Sequence, residues 1–280
     1  MRAVVMRDKR LIVTDVPVPE PAPGEVLVKT LACGICGSDL HALKHADRFA
    51  AAYRRPDGTQ ILDLTRDVMM GHEFCAEIVD HGLETTRRLK TGTRVCSVPV
   101  LQRPAGRQTI GYSNDHPGGY GEYMCLTEAL LLPVPNGLAT EQAALGADVV
   151  VDPARRPAIE GWREVAHGRP LVIFECVGVP GLLDQAMTAA VKGTRIVIVG
   201  VCMEPDTIQP MLGISKELSL QFVLGYDQDE FAATLRHIAE SAIPTTSLIT
   251  DTVGVGGVAE AFVDLASPER HVKILVEPWR

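Results

Sequence analysis

Apolar residues follow two different patterns along the chain, and the change falls near residue 135. Before it, short and partly alternating apolar runs are bounded by proline and glycine, which is typical of β-strands joined by turns. The predicted strands cover residues 11–13, 26–31, 76–79, 93–98 and 121–126. Such a series predicts a small, partly open β-barrel. Residues 42–70 interrupt it as an insertion, with a short helix predicted over residues 46–53.

After residue 135 the apolar runs are more continuous, and helical segments lie between them. The predicted strands cover residues 149–151, 171–175, 195–201 and 219–224, and the predicted helices cover residues 181–191 and 227–242. Strands that are apolar on both faces and alternate with helices indicate a parallel sheet covered on both sides. We therefore predict an α/β domain of doubly wound type. A closing helix over residues 258–265 and a strand over 271–277 follow it.

Composition excludes several classes of protein. The chain has 280 residues, 46% of them hydrophobic and 22% charged, as in ordinary soluble globular proteins with room for two domains. A net charge of −8 without a basic stripe argues against a nucleic-acid partner. The start of the chain does not read as a signal peptide, and no run of about 18 apolar residues occurs, which predicts a cytoplasmic protein with no membrane partner. Seven scattered cysteines predict reduced thiols.

Two short segments about thirty residues apart encode a candidate metal site. Cys33 and Cys36 have Cys-x-x-Cys spacing, which is weak alone because it also occurs in redox motifs. His72 and Glu73 add an imidazole and a carboxylate, so that thiolate, nitrogen and oxygen donors suited to zinc are all present. Each residue taken singly is more often an ordinary core or strand-end residue, but the set predicts a zinc site.

Two more polar residues follow Cys36 closely. Ser38 offers a hydroxyl and His41 offers an imidazole that can exchange a proton with solvent near neutral pH. A hydroxyl held near the metal could therefore pass a proton through His41 to water. The segment predicts a zinc site that also moves protons.

These residues resemble the signature of a known family. Cys-Gly-Ile-Cys-Gly-Ser-Asp-Leu-His at residues 33–41, with Gly-His-Glu at residues 71–73, is similar to the motifs of zinc-dependent medium-chain dehydrogenases, in particular the polyol, threonine and glucose dehydrogenase-like branch. Residues 117–123 also match that family. The resemblance implies a GroES-like β-barrel domain over residues 1–145 and a truncated Rossmann domain, a doubly wound parallel sheet, over residues 146–280. The C-terminal segment would return to the first domain.

The resemblance also implies roles for the candidate residues. Cys36 and His72 would be zinc ligands, and Glu73 would be the adjacent acid that can approach the metal. Ser38 and His41 would form the proton relay, whereas Cys33 would pack in the core. One catalytic zinc and NAD or NADP are the implied cofactors. Residues 97–116 hold no cysteine, so no structural zinc is expected.

The Rossmann domain nevertheless lacks its usual opening. Residues 139–145 resemble the end of the barrel domain and run directly into residues 146–152, which resemble the third strand of the sheet. At least two βα units, about 60 residues, are missing between them, together with the Gly-x-Gly-x-x-Gly turn that holds the pyrophosphate. The acid that serves as third zinc ligand in relatives falls in the gap. Glu141 and Glu73 are the candidates to replace it, although neither matches its position. Whether the gene carries this gap stays open.

The remaining coenzyme site is assigned by resemblance alone. The predicted lining residues end three strands, and Lys273 stands where relatives place a base against the pyrophosphate. The strand-end residues are Cys176, Val177 and Gly178, then Gly200 and Val201, and finally Leu224. As bare sequence these positions are more often ordinary strand ends and a surface lysine. Because the phosphate turn is missing, we predict weak or absent NAD(P) binding.

The sequence thus predicts a zinc-dependent alcohol or polyol dehydrogenase that transfers hydride between a primary or secondary alcohol and NAD(P). The alternative is a non-catalytic zinc-binding remnant that pairs with another subunit. Residues 219–224 resemble the sheet edge through which relatives dimerise, which predicts a homo-oligomer in either case.

Overall fold

The computed structural model describes residues 1–52, 62–104, 106–135, 157–166, 169–243, 245–267 and 270–280. The chain divides into two compact units. The first unit comprises Met1–Gly146 and Asp227–Arg280, and the second comprises Ala147–Tyr226. The predicted strand at residues 149–151, the candidate ligand Glu141 and the junction between residues 145 and 146 lie outside the described residues.

The elements are numbered in chain order. The strands are β1 (Arg2–Arg7), β2 (Arg10–Asp15), β3 (Glu25–Gly34), β4 (Glu73–His81), β5 (Arg94–Cys96), β6 (Val100–Arg103), β7 (Gly106–Thr109), β8 (Tyr123–Thr127), β9 (Leu132–Pro133), β10 (Val172–Glu175), β11 (Arg195–Ile198), β12 (Ser219–Phe222), β13 (Ile249–Val253) and β14 (Lys273–Val276). The helices are α1 (Gly37–Lys44), α2 (Ala46–Ala52), α3 (Ala158–Ala166), α4 (Leu182–Ala189), α5 (Pro210–Ser215), α6 (Gln228–Ala239) and α7 (Val258–Leu265). No helix of the described ranges is long and apolar enough to cross a bilayer.

The first unit is built around β3. The strands run in the order β13-β14-β3-β4-β5-β9, and β8 also pairs with β3. Along β3, Val26, Val28, Thr30 and Ala32 are buried while the residues between them are partly exposed, which is the period-two burial of a strand. The C-terminal strand β14 pairs with the last residues of β3. The β-rich character predicted for the first half of the chain is confirmed.

The second unit contains a three-stranded parallel sheet in the order β10-β11-β12 among its described residues. Ile173 lies opposite Ile196, and Ile196 lies opposite Leu220. These three side chains pack with Met187 of α4 and with α5 in one apolar cluster. Successive side chains of a strand point to opposite faces, so Phe174 belongs to the other face, where it is exposed. The predicted parallel α/β arrangement is confirmed.

Candidate metal and proton-transfer site

Two strand ends bring the candidate ligands together. Gly34, at the end of β3, lies opposite Glu73, at the start of β4, so the segments that follow β3 and precede β4 are neighbours. Ligand atoms of Cys36, His72 and Glu73 lie within 4.8 Å of one another, and all three residues are partly exposed. Ligands about 2.0–2.3 Å from a tetrahedral zinc ion are separated by less than this limit. The thiolate, imidazole and carboxylate donors therefore fit zinc in both chemistry and spacing.

Two glycines permit this close approach. Gly71 has a φ of +97°, and a Cβ there would lie 2.7 Å from the ring of Tyr120. A Cβ on Gly34 would lie 2.5 Å from a carboxylate oxygen of Glu73. Only a residue without a side chain can take both the left-handed conformation and the space at Gly71. The glycine before His72 is thus required by the geometry that places the imidazole in the site.

Asp39 is a buried residue next to the candidate ligands, and the sequence analysis assigned it no role. Its side chain is 0% exposed. It accepts hydrogen bonds from the backbone N–H of Cys36 at 3.0 Å and from the hydroxyls of Tyr112 and Tyr120 at 2.8 Å each. Burial would raise the pKa of Asp39, but the charge and hydrogen bonding of His72, with the other donors, hold it below the usual range. Asp39 is therefore a buried carboxylate that acts as an acceptor.

Asp39 also orients His72. Nδ1 of His72 lies 3.4 Å from Oδ1 of Asp39, longer than a full hydrogen bond, and no other described atom partners it. Burial would lower the pKa of His72, but Asp39 and Cys36 raise it well above the usual value. A carboxylate next to one ring nitrogen fixes the histidine tautomer and leaves the other nitrogen as the ligand atom. Nε2 of His72 is thus the nitrogen available to an ion.

Ser38 lies at this site, whereas His41 is not joined to it. The Oγ atom of Ser38 is 3.3 Å from Nε2 of His72 and 2.9 Å from the hydroxyl of Tyr112. His41 stacks on His45 with ring centroids 6.4 Å apart. No hydrogen bond between Ser38 and His41 is present in the described part of the chain. The relay through His41 stays a prediction.

Lys273 lies with the candidate ligands. Its ammonium group donates to a carboxylate oxygen of Glu73 at 2.7 Å and to the carbonyl oxygen of Ile35 at 3.1 Å. Burial would lower the pKa of Lys273, but Glu73 raises it above the usual value. The pairing of β14 with β3 brings Lys273 to this place. Its predicted role against a pyrophosphate stays a prediction.

The candidate coenzyme residues lie at the carboxyl ends of β10, β11 and β12, or just beyond them. These positions are Cys176, Val177, Gly178, Gly200, Val201 and Leu224. The first turn is held by Glu175, whose carboxylate accepts the backbone N–H groups of Val177 and Gly178 at 2.7 and 2.8 Å. Gly178 and Gly200 are in close backbone contact, which leaves no room for a Cβ at Gly200. Leu224 is 91% exposed. Their coenzyme role stays a prediction.

Comparison with known proteins gives a consistent result. The family model of the alcohol dehydrogenase GroES-like domain matches residues 22–136, and that of the zinc-binding dehydrogenases matches residues 138–240. The chain is similar to (R,R)-butanediol dehydrogenase of Bacillus subtilis, with 27% identity over 333 residues, 93% of this chain and 94% of the relative. L-threonine 3-dehydrogenase of Rhizobium etli is 25% identical over 90% of this chain and 68% of that protein.

The solved structures show the same fold. A zinc-binding dehydrogenase from Sinorhizobium meliloti 1021, solved bound to NADP, has a TM-score of 0.75 and 22% identity and covers 99% of both chains. The sequence alignment to butanediol dehydrogenase is longer than this 280-residue chain, so this chain must carry gaps against that relative. The loss of two βα units between residues 145 and 146 stays a prediction.

Proposed function

This chain belongs to the zinc-dependent medium-chain dehydrogenase family, and from that premise we propose that it binds one catalytic zinc through Cys36, His72 and Glu73. With NAD or NADP it would oxidise small alcohols or polyols, at a rate reduced by the weak coenzyme binding that the sequence predicts. The observation that carries the proposal is the convergence of these three donors beside the Ser38 hydroxyl. The names of the relatives, butanediol and L-threonine 3-dehydrogenase, support substrates that carry a hydroxyl.

Each residue of the candidate site would have a separate role. Cys36 and Nε2 of His72 would hold the ion, and Asp39 would keep the His72 ring in place. The metal would supply Lewis-acid polarisation of an alcohol oxygen, which lowers the pKa of its hydroxyl. Ser38, beside Nε2 of His72, would accept a hydrogen bond from that hydroxyl and so hold in place the proton that is to leave. His41 is the group proposed to carry it on to solvent.

Glu73 would complete the set of ligands. A carboxylate has two oxygens, and only Oε2 of Glu73 is bonded to Lys273. Oε1 is left to face an ion while the Lys273 contact is kept. Residues 97–116 hold no cysteine, which supports a single catalytic zinc without a structural one.

Three further statements belong to the same proposal. The strand-end residues from Cys176 to Leu224 would line whatever coenzyme site remains, with Lys273 as the candidate base. The protein would act in the cytoplasm on small molecules, without nucleic-acid or membrane partners. The edge of β12 would join two copies of the chain.

Zinc content and turnover test the proposal. The purified chain should carry about one zinc per chain, whereas Cys36→Ser should carry less than about a tenth of that. Cys33→Ala is the matched control, because Cys33 is buried between glycines and offers no ligand, so its zinc should be retained. The oxidation of a panel of alcohols and polyols is then followed with NAD and with NADP.

The outcomes of this experiment distinguish a zinc-dependent dehydrogenase from a non-catalytic zinc protein. Zinc that persists in Cys36→Ser, or a wild-type chain without zinc, would contradict the metal site. Zinc with no turnover on any alcohol would favour the non-catalytic zinc protein. A rate that depends on zinc and on one coenzyme would support the dehydrogenase.

A further inference from the structure

A third side chain, Tyr112, joins Ser38 to Asp39. Its hydroxyl lies 2.9 Å from Oγ of Ser38 and 2.8 Å from Oδ1 of Asp39. The residue is buried, and its ring packs against those of His72 and Phe49 at centroid distances of 5.0 and 4.7 Å. Packing on both sides holds the Tyr112 ring, and hence its hydroxyl oxygen, at a defined position beside the candidate metal site.

Asp39, the acceptor at the end of this chain of hydrogen bonds, determines which group donates in each of them. Asp39 already accepts from the backbone N–H of Cys36 and from Tyr120, and a carboxylate has no proton to give. Tyr112 must therefore donate its single proton to Asp39. Its oxygen is left as an acceptor, and the neighbouring Ser38 can donate to it.

The direction of the hydrogen bond from Ser38 to Tyr112 decides whether the proton or the lone pairs of Ser38 face the candidate metal site. A serine hydroxyl has one proton and two lone pairs. When the proton is directed to Tyr112, the lone pairs are free to accept a hydrogen bond from a hydroxyl placed beside His72. Without Tyr112, the hydrogen-bonding partner left to Ser38 among the described residues is Nε2 of His72 at 3.3 Å. When His72 is neutral, the form that can bind an ion, Ser38 would then donate to the very nitrogen that the ion needs.

We propose that Tyr112 is a positioning residue that directs the Ser38 proton away from His72, so that Nε2 stays free for the metal and Ser38 stays an acceptor. The inference rests on the proposed metal site and goes beyond it, because it assigns a role to a residue outside the signature segments. Tyr120 provides the matched control: it also donates to Asp39, at 2.8 Å, but within the described part of the chain it forms no hydrogen bond with Ser38.

A double-mutant cycle on Co2+ affinity tests the inference. Co2+ binding is followed by the absorption of the thiolate–cobalt bond in the wild type, Tyr112→Phe, Ser38→Ala and the double variant. Tyr112→Phe should weaken binding about fivefold when Ser38 is present and less than about twofold when Ser38 is alanine. Tyr120→Phe should weaken binding by the same factor in both backgrounds. Equal losses for Tyr112→Phe in the two backgrounds would overturn the inference.

The same cycle on unfolding gives a readout without metal. In the presence of a chelator, the effects of Tyr112→Phe and Ser38→Ala on the equilibrium constant of urea unfolding should depart from additivity by a factor of about five. Additive effects would overturn the inference. If the wild type bound no Co2+, the proposed function would be refuted instead, and the unfolding cycle alone would decide whether Tyr112 holds the Ser38 proton.

Discussion

The two units differ in what they bury. In the first unit the polar centre is enclosed: Asp39 is fully buried and accepts three hydrogen bonds from groups of the same unit. In the second unit the described sheet leaves apolar side chains in water, among them Phe174 at 64% and Phe222 at 71% exposure. A metal site that depends on side chains of one unit can survive the loss of residues elsewhere. A parallel sheet is normally covered on both faces, so the loss of neighbouring elements leaves its apolar side chains exposed.

The exposed sheet has a physical explanation in the family's strand order. If the predicted gap is present, strands one and two of that order, 3-2-1-4-5-6, are the missing ones and β10 corresponds to strand four. β10 pairs with β11 on one edge, and no strand of the described part of the chain pairs with its other edge. Phe174 on β10 is accordingly exposed. This exposure is what the predicted loss of strands one and two would produce.

A measurement of coenzyme binding should give the largest difference between the enclosed site of the first unit and the exposed sheet of the second. With the zinc-loaded chain, NADH fluorescence should show no saturation up to about 1 mM, because the sequence contains no Gly-x-Gly-x-x-Gly pattern that could hold the pyrophosphate. Zinc content measured on the same sample is the control, since the first unit should keep its metal. Saturable binding of one NADH per chain in the micromolar range would remove the contrast between the units.

Many of the strands were predictable because their residues form short apolar or alternating runs in the sequence. The predicted strand at residues 26–31 lies inside β3, and the one at residues 195–201 overlaps β11. Helix α1 was not predicted, because its opening residues Gly37, Ser38 and Asp39 are poor helix formers. Its start is stabilised instead by the Asp39 carboxylate, which accepts the backbone N–H of Cys36.

The candidate site was predictable only in part. Cys36, His72 and Glu73 lie in two motifs, and the structure brings them together as that pattern predicted. The residues that support them come from distant parts of the chain: Tyr112 lies 73 positions from Asp39, and Lys273 lies 200 positions from Glu73. No local spacing links such pairs, because strand pairing and core formation bring them together. Their roles needed the three-dimensional structure.

A pair of substitutions in the second unit tests whether its two sheet faces really differ. Ile196 is 0% exposed within the apolar cluster under α4, so Ile196→Ala should destabilise this unit by about 3 kcal/mol. Phe174→Ala, on the open face, should change stability by less than about 0.5 kcal/mol. Hydrogen exchange of peptides from β10, β11 and β12 measures both effects. Similar losses of protection would mean that the outer face is covered in solution.

The smallest expected effect concerns a buried acid of the first unit. Glu128 is 9% exposed in its side chain and accepts the backbone N–H of Thr86 at 2.5 Å. Burial would raise the pKa of Glu128, but the hydrogen bonds from Thr86 and the next two backbone N–H groups lower it below the usual value. A carboxylate held in this way stabilises the fold above the unfolded-state pKa of about 4.3, and the stabilisation is lost as the pH falls through the lower folded-state pKa.

Glu128→Gln should therefore destabilise the first unit by about 1 kcal/mol at pH 7, because the amide accepts these hydrogen bonds more weakly than the carboxylate does. The difference in unfolding free energy between the variant and the wild type should shrink as the pH falls below about 4. There Glu128 becomes protonated and is uncharged, like the amide. Glu84→Gln, an exposed acid two residues before Thr86, is the control and should stay within about 0.5 kcal/mol at every pH. Urea unfolding at pH 7 and pH 3 measures this, and a Glu128→Gln effect that does not change with pH would mean that the carboxylate charge stabilises nothing there.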